Sequence, residues 1–393
     1  MSRSQDKYPI ELTCSEVLDF TIETLQEHLD LVVGGDSYTP ENIWSILVSA
    51  SAQSSTIEET CGKTERGPSA NTVRNHLKDG LLSQRDLQAL EAALNELLVA
   101  QLPSRIVGYR HRIAIDLVLL PYYGEPAEDP NEIRRSAAKR GTTRFHCYAT
   151  AYVIKPNKRV TLALTYVQKD DTILGVLKRL LVRLETLNVG IRRLYLDRGF
   201  YSVEIIRFLK TQSFPAVLPA PVRGKRMKRL FTERKCYQTP YTVISPKHGK
   251  EEVNLWIVCR YAKGKRGKHQ VEYLPYVVLG DLSCPIPNVR EEHRGRFGIE
   301  TSYRMMNQAR ARTTCRDPNY RLLLVGLALT LINIWITLKW TVLAVPRQGG
   351  RWIDDHLFPL SRFRSFLAEA VKTTYGIITS VQRPTTIPNT APG

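Results

Sequence analysis

The sequence of 393 residues lacks the residue sets that build structural zinc sites and disulfide frameworks. Its seven cysteines are scattered without a C-x-x-C pair, and no histidine cluster has the spacing of a zinc site. No apolar stretch of signal-peptide length lies near the first residue, which disfavours secretion. These absences predict reduced thiols in a cytoplasmic protein.

Acidic residues are also few relative to basic ones. The chain has 38 Asp and Glu against 56 Lys and Arg, which gives a net charge of +18. Such an excess indicates a polyanionic partner, most often nucleic acid. Hydrophobic residues at 43% and charged residues at 24% are typical of a folded protein, and the length favours two or three domains.

One long apolar run, residues 322–338, must be assigned either to a membrane or to a core. It contains Asn333 and ends at Lys339 after 17 residues, short of the ~20 that span a bilayer. The pattern therefore favours a helix buried on all sides in a protein core, and no membrane partner. A membrane anchor that extends to Val345 is the alternative.

Residues 1–103 predict an all-α N-terminal domain, because leucines recur at helical steps until Pro103. Within it, residues 56–78 have the pattern of a helix-turn-helix whose second helix begins after Ser69. That helix offers Asn71, Arg74 and Lys78 for contacts with DNA bases or phosphates. A plain helical bundle with a solvated polar face is the alternative.

After Pro103 the pattern changes to strands. Apolar runs at 113–119, 145–154 and 159–167 are followed by a helix capped near Asp171, a strand at 193–196, a helix and a strand at 216–220. This order predicts an α/β fold with an RNase H-like mixed sheet, in which the fourth strand lies parallel to the first. Asp116, in the first strand, and Asp197, after the fourth, are then neighbours.

The RNase H-like core at 104–220 is followed by a basic segment at 221–289. Its strand-like stretches predict a β-rich insertion, with a charged loop at 263–268 and a basic cluster that offers phosphate contacts: Arg223, Lys225, Arg226 and Lys228. A solvated charged loop is the alternative. Helices of the core then return at 290–346, and 347–393 is expected to form a C-terminal helix and a disordered tail.

Three carboxylates stand out in the predicted core. Asp116 interrupts an apolar strand, Asp197 follows a strand end, and Glu300 lies in a helical stretch. An ionised carboxylate in such a strand must be paired, hydrogen-bonded or bound to metal. Together the three are suited to two Mg²⁺ ions, with Mn²⁺ as a substitute. Each one alone is also compatible with a capping or ion-paired structural role.

The stretches IAIDLVLLPYYG, RLYLDRGFYS and HRGRFGIETSYRMMNQAR resemble the three catalytic blocks of the DDE transposases of bacterial and archaeal insertion sequences. The resemblance covers about residues 105–345 and is to the large group with a β-strand insertion between the second Asp and the Glu. That group has a pattern Tyr-x2-Arg-x3-Glu, which Arg296 and Glu300 match. His293 stands at the Tyr position, and Asn307 replaces a frequent Lys, while Arg304 supplies a basic residue nearby.

The resemblance implies a DNA transposase whose Asp116, Asp197 and Glu300 bind two metal ions for 3′-end hydrolysis and then strand transfer. Arg296 and Arg304 each lie four residues from Glu300 on one helix face, which suits them to contacts with phosphates beside the cut bond, and His293 is a further candidate for such a contact. A helix-stabilising Arg-Glu-Arg stack is the alternative. The resemblance also implies double-stranded DNA partners (terminal inverted repeats and target), a homodimer on paired ends, and a prokaryotic, nucleoid-associated location. The alternatives are a non-catalytic DNA-binding regulator and a metal-dependent nuclease without strand transfer.

Overall fold

The computed structural model of the chain describes residues 11–104, 106–126, 129–154, 160–261, 271–348 and 350–380. The predicted charged loop at 263–268 and the predicted disordered tail beyond 380 lie outside these residues. The rest forms an α/β fold with an N-terminal helical region and a mixed sheet, which confirms the fold class predicted from the sequence.

The N-terminal helical region consists of five helices: α1 (Cys14–Leu29), α2 (Pro40–Gln53), α3 (Ile57–Cys61), α4 (Ala70–Leu77) and α5 (Leu87–Ala100). Local capping explains where they begin. The side chains of Thr13, Ser69 and Asp86 each accept a hydrogen bond from the first turn of α1, α4 and α5. The helices α3 and α4 lie where the helix-turn-helix pattern predicts them.

The central sheet has nine strands: β1 (Arg110–Pro121), β2 (Arg134–Lys139), β3 (Thr142–Val153), β4 (Thr161–Val167), β5 (Gly190–Leu196), β6 (Ala216–Pro219), β7 (Tyr237–Ser245), β8 (Gly249–Tyr261) and β9 (Val271–Leu279). Their order is β2-β3-β1-β5-β6-β9-β8-β7, and β4 also pairs with β3. Strand β2 was not predicted, because its exposed sequence RRSAAK has no alternation of apolar and polar residues.

The first and fourth predicted strands are parallel neighbours, as expected. In the register between β1 and β5, Ile115 lies opposite Leu196, so Asp116 and Asp197 both follow the last paired residues. The helix α6 (Ile173–Thr186) connects β4 to β5, and α7 (Val203–Lys210) connects β5 to β6. The predicted cap of α6 is wrong by one residue, because Thr172 caps it while Asp171 forms an ion pair with Arg179.

The basic segment after β6 continues the central sheet. A short helix, α8 (Gly224–Lys228), leads into β7 and β8, and β9 then pairs antiparallel with β6 over Ala216–Pro219. The strands predicted as an insertion therefore share one hydrogen-bonded sheet with the strands that carry Asp116 and Asp197.

The C-terminal part contains α9 (Val289–Arg294), α10 (Gly298–Gln308), α11 (Pro318–Thr341), a hairpin of β10 (Val345–Arg347) and β11 (Gly350–Trp352), and α12 (Leu360–Tyr375). By length and composition α11 could cross a membrane, but 94% of its most apolar window is buried inside the protein. The side chain of Asn333 donates to the carbonyls of Leu98 and Thr161 and accepts from the Thr161 amide. Asn333 thereby connects α11 to α5 and β4.

Candidate active site

Asp116 lies in the middle of the sheet, on β1. It is paired in register with Thr150 of β3, and its side chain is only 15% exposed. One carboxylate oxygen, Oδ1, accepts a hydrogen bond of 2.8 Å from the amide of Leu117. Apolar residues flank Asp116 along the strand, so its carboxylate is largely removed from water. A carboxylate in such a place needs a charged or hydrogen-bonding partner.

Asp197 and Glu300 approach the same place from other elements. Asp197 directly follows β5, and Glu300 lies in the first turn of α10. Their side chains are 44% and 52% exposed, so both face the solvent more than Asp116 does. The sheet therefore supplies one buried and one open carboxylate, and a helix adds the third.

A single guanidinium, that of Arg296, brings the three carboxylates together. Its Nη1 is 2.8 Å from Asp116 Oδ2, and its Nη2 is 3.2 Å from Asp197 Oδ1 and 3.7 Å from Glu300 Oε1. The Arg296 side chain is only 5% exposed. The sequence predicted a phosphate contact for Arg296, whereas in the structure its charge is used to neutralise the carboxylates.

Burial dominates the electrostatics of Asp116. Desolvation raises the pKa of this carboxyl from 3.8 to about 6, although the charge of Arg296 opposes the rise. The carboxylates of Asp197 and Glu300 add to the rise through repulsion. The site therefore holds more negative charge than one arginine balances, which favours the entry of a further cation.

The donor set fits hard divalent ions. The three carboxylates all lie within 3.7 Å of the Arg296 guanidinium. Their oxygens are the ligands that Mg²⁺ and Mn²⁺ prefer. Among the residues that the structure describes, no group of three or more His, Cys, Asp or Glu is already arranged around a common metal position. The carboxylates instead face Arg296, so metal binding requires this guanidinium to move aside.

His293 has a different place from the one predicted. Its ring is 5% exposed, and its Nε2 lies 3.0 Å from the carbonyl oxygen of Leu196, so it donates to the residue just before Asp197. Burial lowers the pKa of His293 to about 4, which leaves the ring neutral at pH 7. In this arrangement His293 positions the end of β5 and does not offer a charge to phosphate.

Two positioning groups were missed from the sequence. The hydroxyl of Tyr303, one turn after Glu300, donates to the carbonyl of Asp116 at 2.8 Å and lies 2.8 Å from the hydroxyl of Thr150. Glu292 of α9 accepts hydrogen bonds from Tyr195 and Arg193 of β5. These hydrogen bonds hold α10 and α9 against the sheet. In the sequence, their only signal was a polar residue on the inner face of each helix.

A cleft of about 500 Å³ opens beside Asp197. It is lined by five arginines from α9, β8 and the neighbouring loops: Arg198, Arg260, Arg290, Arg294 and Arg296. Of these, Arg260 is paired with Glu272, and Arg290 and Arg294 are paired with Glu291. The open side of the carboxylate site is therefore rich in arginines that are paired with carboxylates, and a phosphate can replace the exposed carboxylate of Glu291 in two of these pairs.

The remaining predicted DNA contacts lie away from the carboxylates, on exposed surfaces. Asn71 on α4 and Lys78 directly after it are exposed, and Arg74 forms contacts with Asn71 and with Glu58 of α3. Exposed ion pairs of this kind contribute little to stability, so a phosphate can replace them.

The predicted cations of the basic segment lie around α8, where buried Met227 anchors an otherwise exposed helix. Arg223, Lys225 and Lys228 are exposed, and Arg226 stacks 4.7 Å from the ring of Tyr241. On α10, Arg304 and Asn307 are also exposed. None of these side chains lies at the carboxylates, so their role in binding DNA stays a prediction.

Comparison with known proteins gives a structural likeness but no family. No protein-family model matches the sequence, and a search of curated proteins finds no match. Among solved structures, a piggyBac transposase in a synaptic complex with hairpin DNA matches with a TM-score of 0.53 and 12% identity. The match covers 96% of this chain and 84% of that chain, so the fold of this protein is similar to that of a transposase over nearly its whole length.

Proposed function

We propose that the protein is a DNA transposase of the DDE type. The observation that carries this proposal is the convergence of Asp116, Asp197 and Glu300 on Arg296, beside a cleft lined by arginines. The similarity in fold to a transposase supports it. The net charge of +18 supports DNA as the partner.

Asp116, Asp197 and Glu300 are the residues that would hold two Mg²⁺ or Mn²⁺ ions. When bound, such ions supply an activated water or 3′-hydroxyl and a stabilised leaving oxygen. Asp197 lines the cleft and Glu300 is half-exposed beside Arg296, so both would be open to incoming DNA, while Asp116 is fixed in the sheet by Leu117 and Tyr303. Arg296 has two roles in this proposal: it neutralises the carboxylates before DNA binds and contacts a phosphate next to the cut afterwards.

The proposed reaction has two stages in one site. Hydrolysis at the end of the element releases a 3′-hydroxyl, and that hydroxyl then attacks a phosphodiester of the target DNA. Contacts with the terminal inverted repeats are assigned to α4 and the residue after it (Asn71, Arg74, Lys78) and to the α8 region (Arg223, Lys225, Arg226, Lys228). Because two ends must be cut and joined together, we propose a homodimer on paired ends and a bacterial or archaeal insertion sequence as its source.

Incubation of the full-length protein with Mg²⁺ and with DNA that carries the inverted repeats flanking its own gene tests this proposal. We expect specific nicking at the repeat ends, followed by joined products when target plasmid is added. Cutting without joining would indicate a metal-dependent nuclease. Specific binding without cutting, in both Mg²⁺ and Mn²⁺, would contradict the enzyme and leave a DNA-binding regulator.

A further inference from the structure

Two adjacent acids of α9, Glu291 and Glu292, have different surroundings. The Glu292 side chain is 18% exposed and forms an ion pair of 2.8 Å with Arg193 of β5, so it holds α9 on the sheet. The Glu291 side chain is 60% exposed, and its ion partners, Arg290 and Arg294, belong to its own helix. The contacts of Glu291 therefore do not attach α9 to the rest of the protein.

Both ion partners of Glu291 line the cleft of about 500 Å³ beside Asp197. Nη1 of Arg294 lies 3.0 Å from one carboxylate oxygen of Glu291 and 3.2 Å from the other, so both oxygens share one nitrogen. The Arg294 side chain is 53% exposed. Ion pairs as exposed as this one contribute little to stability, so another anion can replace the carboxylate.

The cleft has more positive charge than its acids balance. Arg260 and Arg296 are each paired with an acidic residue that also lines the cleft. Arg198 lines it as well and is exposed, and no ion pair joins Arg198 to a carboxylate in the part of the chain that the structure describes. Arg198 and the two arginines of α9 therefore carry three positive charges against the single negative charge of Glu291.

The size and lining of the cleft indicate what kind of anion it takes. Its volume is in the range of pockets that hold small molecules, so it suits a short piece of one DNA strand and not the whole duplex. The guanidinium fork of arginine matches phosphate oxygens. Because the three cations come from two elements, the loop after β5 and α9, a chain of linked phosphates can contact them together.

We propose that Arg198, Arg290 and Arg294 bind the DNA backbone in the cleft next to the carboxylate site. Glu291 occupies two of these arginines in the absence of DNA, and DNA must displace it. Glu291 thereby weakens the binding of DNA of any sequence, since phosphates carry no sequence information. This inference rests on the proposed function, because it assumes that DNA reaches the cleft beside Asp197. The ligand is the phosphodiester of DNA and not free inorganic phosphate.

Binding of a duplex of about 30 base pairs to the full-length protein, without divalent metal, tests the role of the acid. For Glu291→Gln we expect several-fold tighter binding, with and without the inverted repeats, because no carboxylate competes with the DNA. The control is Glu369→Gln, which breaks another exposed ion pair between residues three apart, with Lys372 on α12. No described residue of α12 lines the cleft, so the control should bind like the wild type. Unchanged or weaker binding by Glu291→Gln, or an equal gain for the control, would overturn this role.

Removal of single cations tests the other side of the same pairs. For Arg198→Gln and for Arg294→Gln we expect weaker binding and a slope of log K against log salt that is smaller by about 0.9, the value for one lost phosphate contact. Both side chains are exposed, so both variants should keep the Tm of the wild type. The control is Lys372→Gln, which removes one positive charge from the matched pair on α12 and should leave the slope unchanged. An unchanged slope for either arginine variant would overturn the site.

A combined variant tests whether the acid acts through these arginines. When Arg290→Gln and Arg294→Gln are both present, Glu291 has lost both of its ion partners, so the addition of Glu291→Gln should no longer tighten DNA binding. A gain as large as in the wild-type background would show that Glu291 acts only through net charge, and the proposed displacement would be wrong.

Two further results separate the possible failures. If about 20 mM inorganic phosphate, at matched ionic strength, raises the Tm of the wild type but not of Arg294→Gln while the DNA slopes stay equal, the cleft binds free phosphate and the assignment to DNA is wrong. If the wild type binds no DNA under any condition, the proposed function itself fails. Normal DNA binding by the wild type, with equal affinity for Glu291→Gln and equal slopes for the arginine variants, leaves the proposed function standing and contradicts only this inference.

Discussion

Two polar clusters on one face of the sheet differ in how their charges are balanced. Around Arg296, three carboxylates share one guanidinium at 2.8 to 3.7 Å, so the cluster keeps an excess of negative charge. Around Arg310, the charges of Arg312 and Arg321 lie nearby, and none of these three guanidiniums forms an ion pair within the described part of the chain. The difference indicates that the two clusters have opposite excess charges, negative at the carboxylates and positive around Arg310.

The strongest test of the first cluster is the loss of a carboxylate. We expect Asp197→Asn to reduce DNA cleavage more than ~1,000-fold, because a neutral amide is a poor ligand for a hard divalent cation. DNA binding should persist, since the arginines that line the cleft are kept. Gel analysis of cleavage with parallel binding measurements checks this. Asp170→Asn, an exposed change on the loop before α6, is the matched control and should cut like the wild type.

Removal of the Arg296 guanidinium should leave the first cluster with negative charges only. In the presence of EDTA, Arg296→Gln leaves three carboxylates without their counter-charge, so we expect a loss of about 3 kcal/mol in the free energy of unfolding. Addition of Mn²⁺ without DNA should then raise the Tm of Arg296→Gln more than that of the wild type, in which Arg296 competes for the carboxylates. Equal shifts in Tm would contradict the view that Arg296 occupies the position of the metal.

The buried carboxylate of Asp116 should make stability depend on pH. Its pKa is about 6 in the folded protein against 3.8 for an ordinary Asp, so ionisation favours the unfolded chain and stability falls as the pH rises from 4 to 6. For Asp116→Asn that decline should be absent. In EDTA the free energy of unfolding of Asp116→Asn should equal that of the wild type below pH 4. Above pH 6 it should be higher by up to about 3 kcal/mol. Denaturant unfolding across this range measures the difference, and a less stable variant at pH 7 would show that the Asp116 charge is structural.

The smallest expected effect concerns the contact between α10 and the sheet. Tyr303→Phe removes the hydrogen bonds to Asp116 and Thr150 and should lower the free energy of unfolding by about 1–2 kcal/mol. Because Glu300 lies one turn earlier on the same helix, cleavage should slow as well. Tyr109→Phe, at a residue that is 60% exposed, provides the control. Unchanged stability of Tyr303→Phe would show that α10 is held by its apolar contacts alone.

The sequence predicted the sheet around Asp116 and Asp197 because the signals there are local. An apolar strand interrupted by one acid and a strand that ends in an acid are both visible in short windows, and the parallel pairing followed from chain order. The apolar helix was also assigned to the core on the basis of Asn333, whose side chain makes three hydrogen bonds there.

The contacts that long side chains make could not be predicted in the same way. The four-residue spacing of Arg296 and Glu300 places them on one helix face but does not say that β1 brings Asp116 within reach of the same guanidinium. The burial of His293 against Leu196 and the unpaired state of Arg310 also depend on how helices pack on the sheet. These contacts join residues that are far apart in sequence and have no local signature.

The pairing of β9 with β6 limits how the protein can be shortened. A version without residues 221–289 would lose the strand that covers Ala216–Pro219, and the open edge of β6 would be free to pair with other molecules. Because β6 lies next to β5, such a truncation would also loosen the strand that ends at Asp197. Compact derivatives of this protein should therefore keep β9, even if they dispense with the hairpin of β7 and β8.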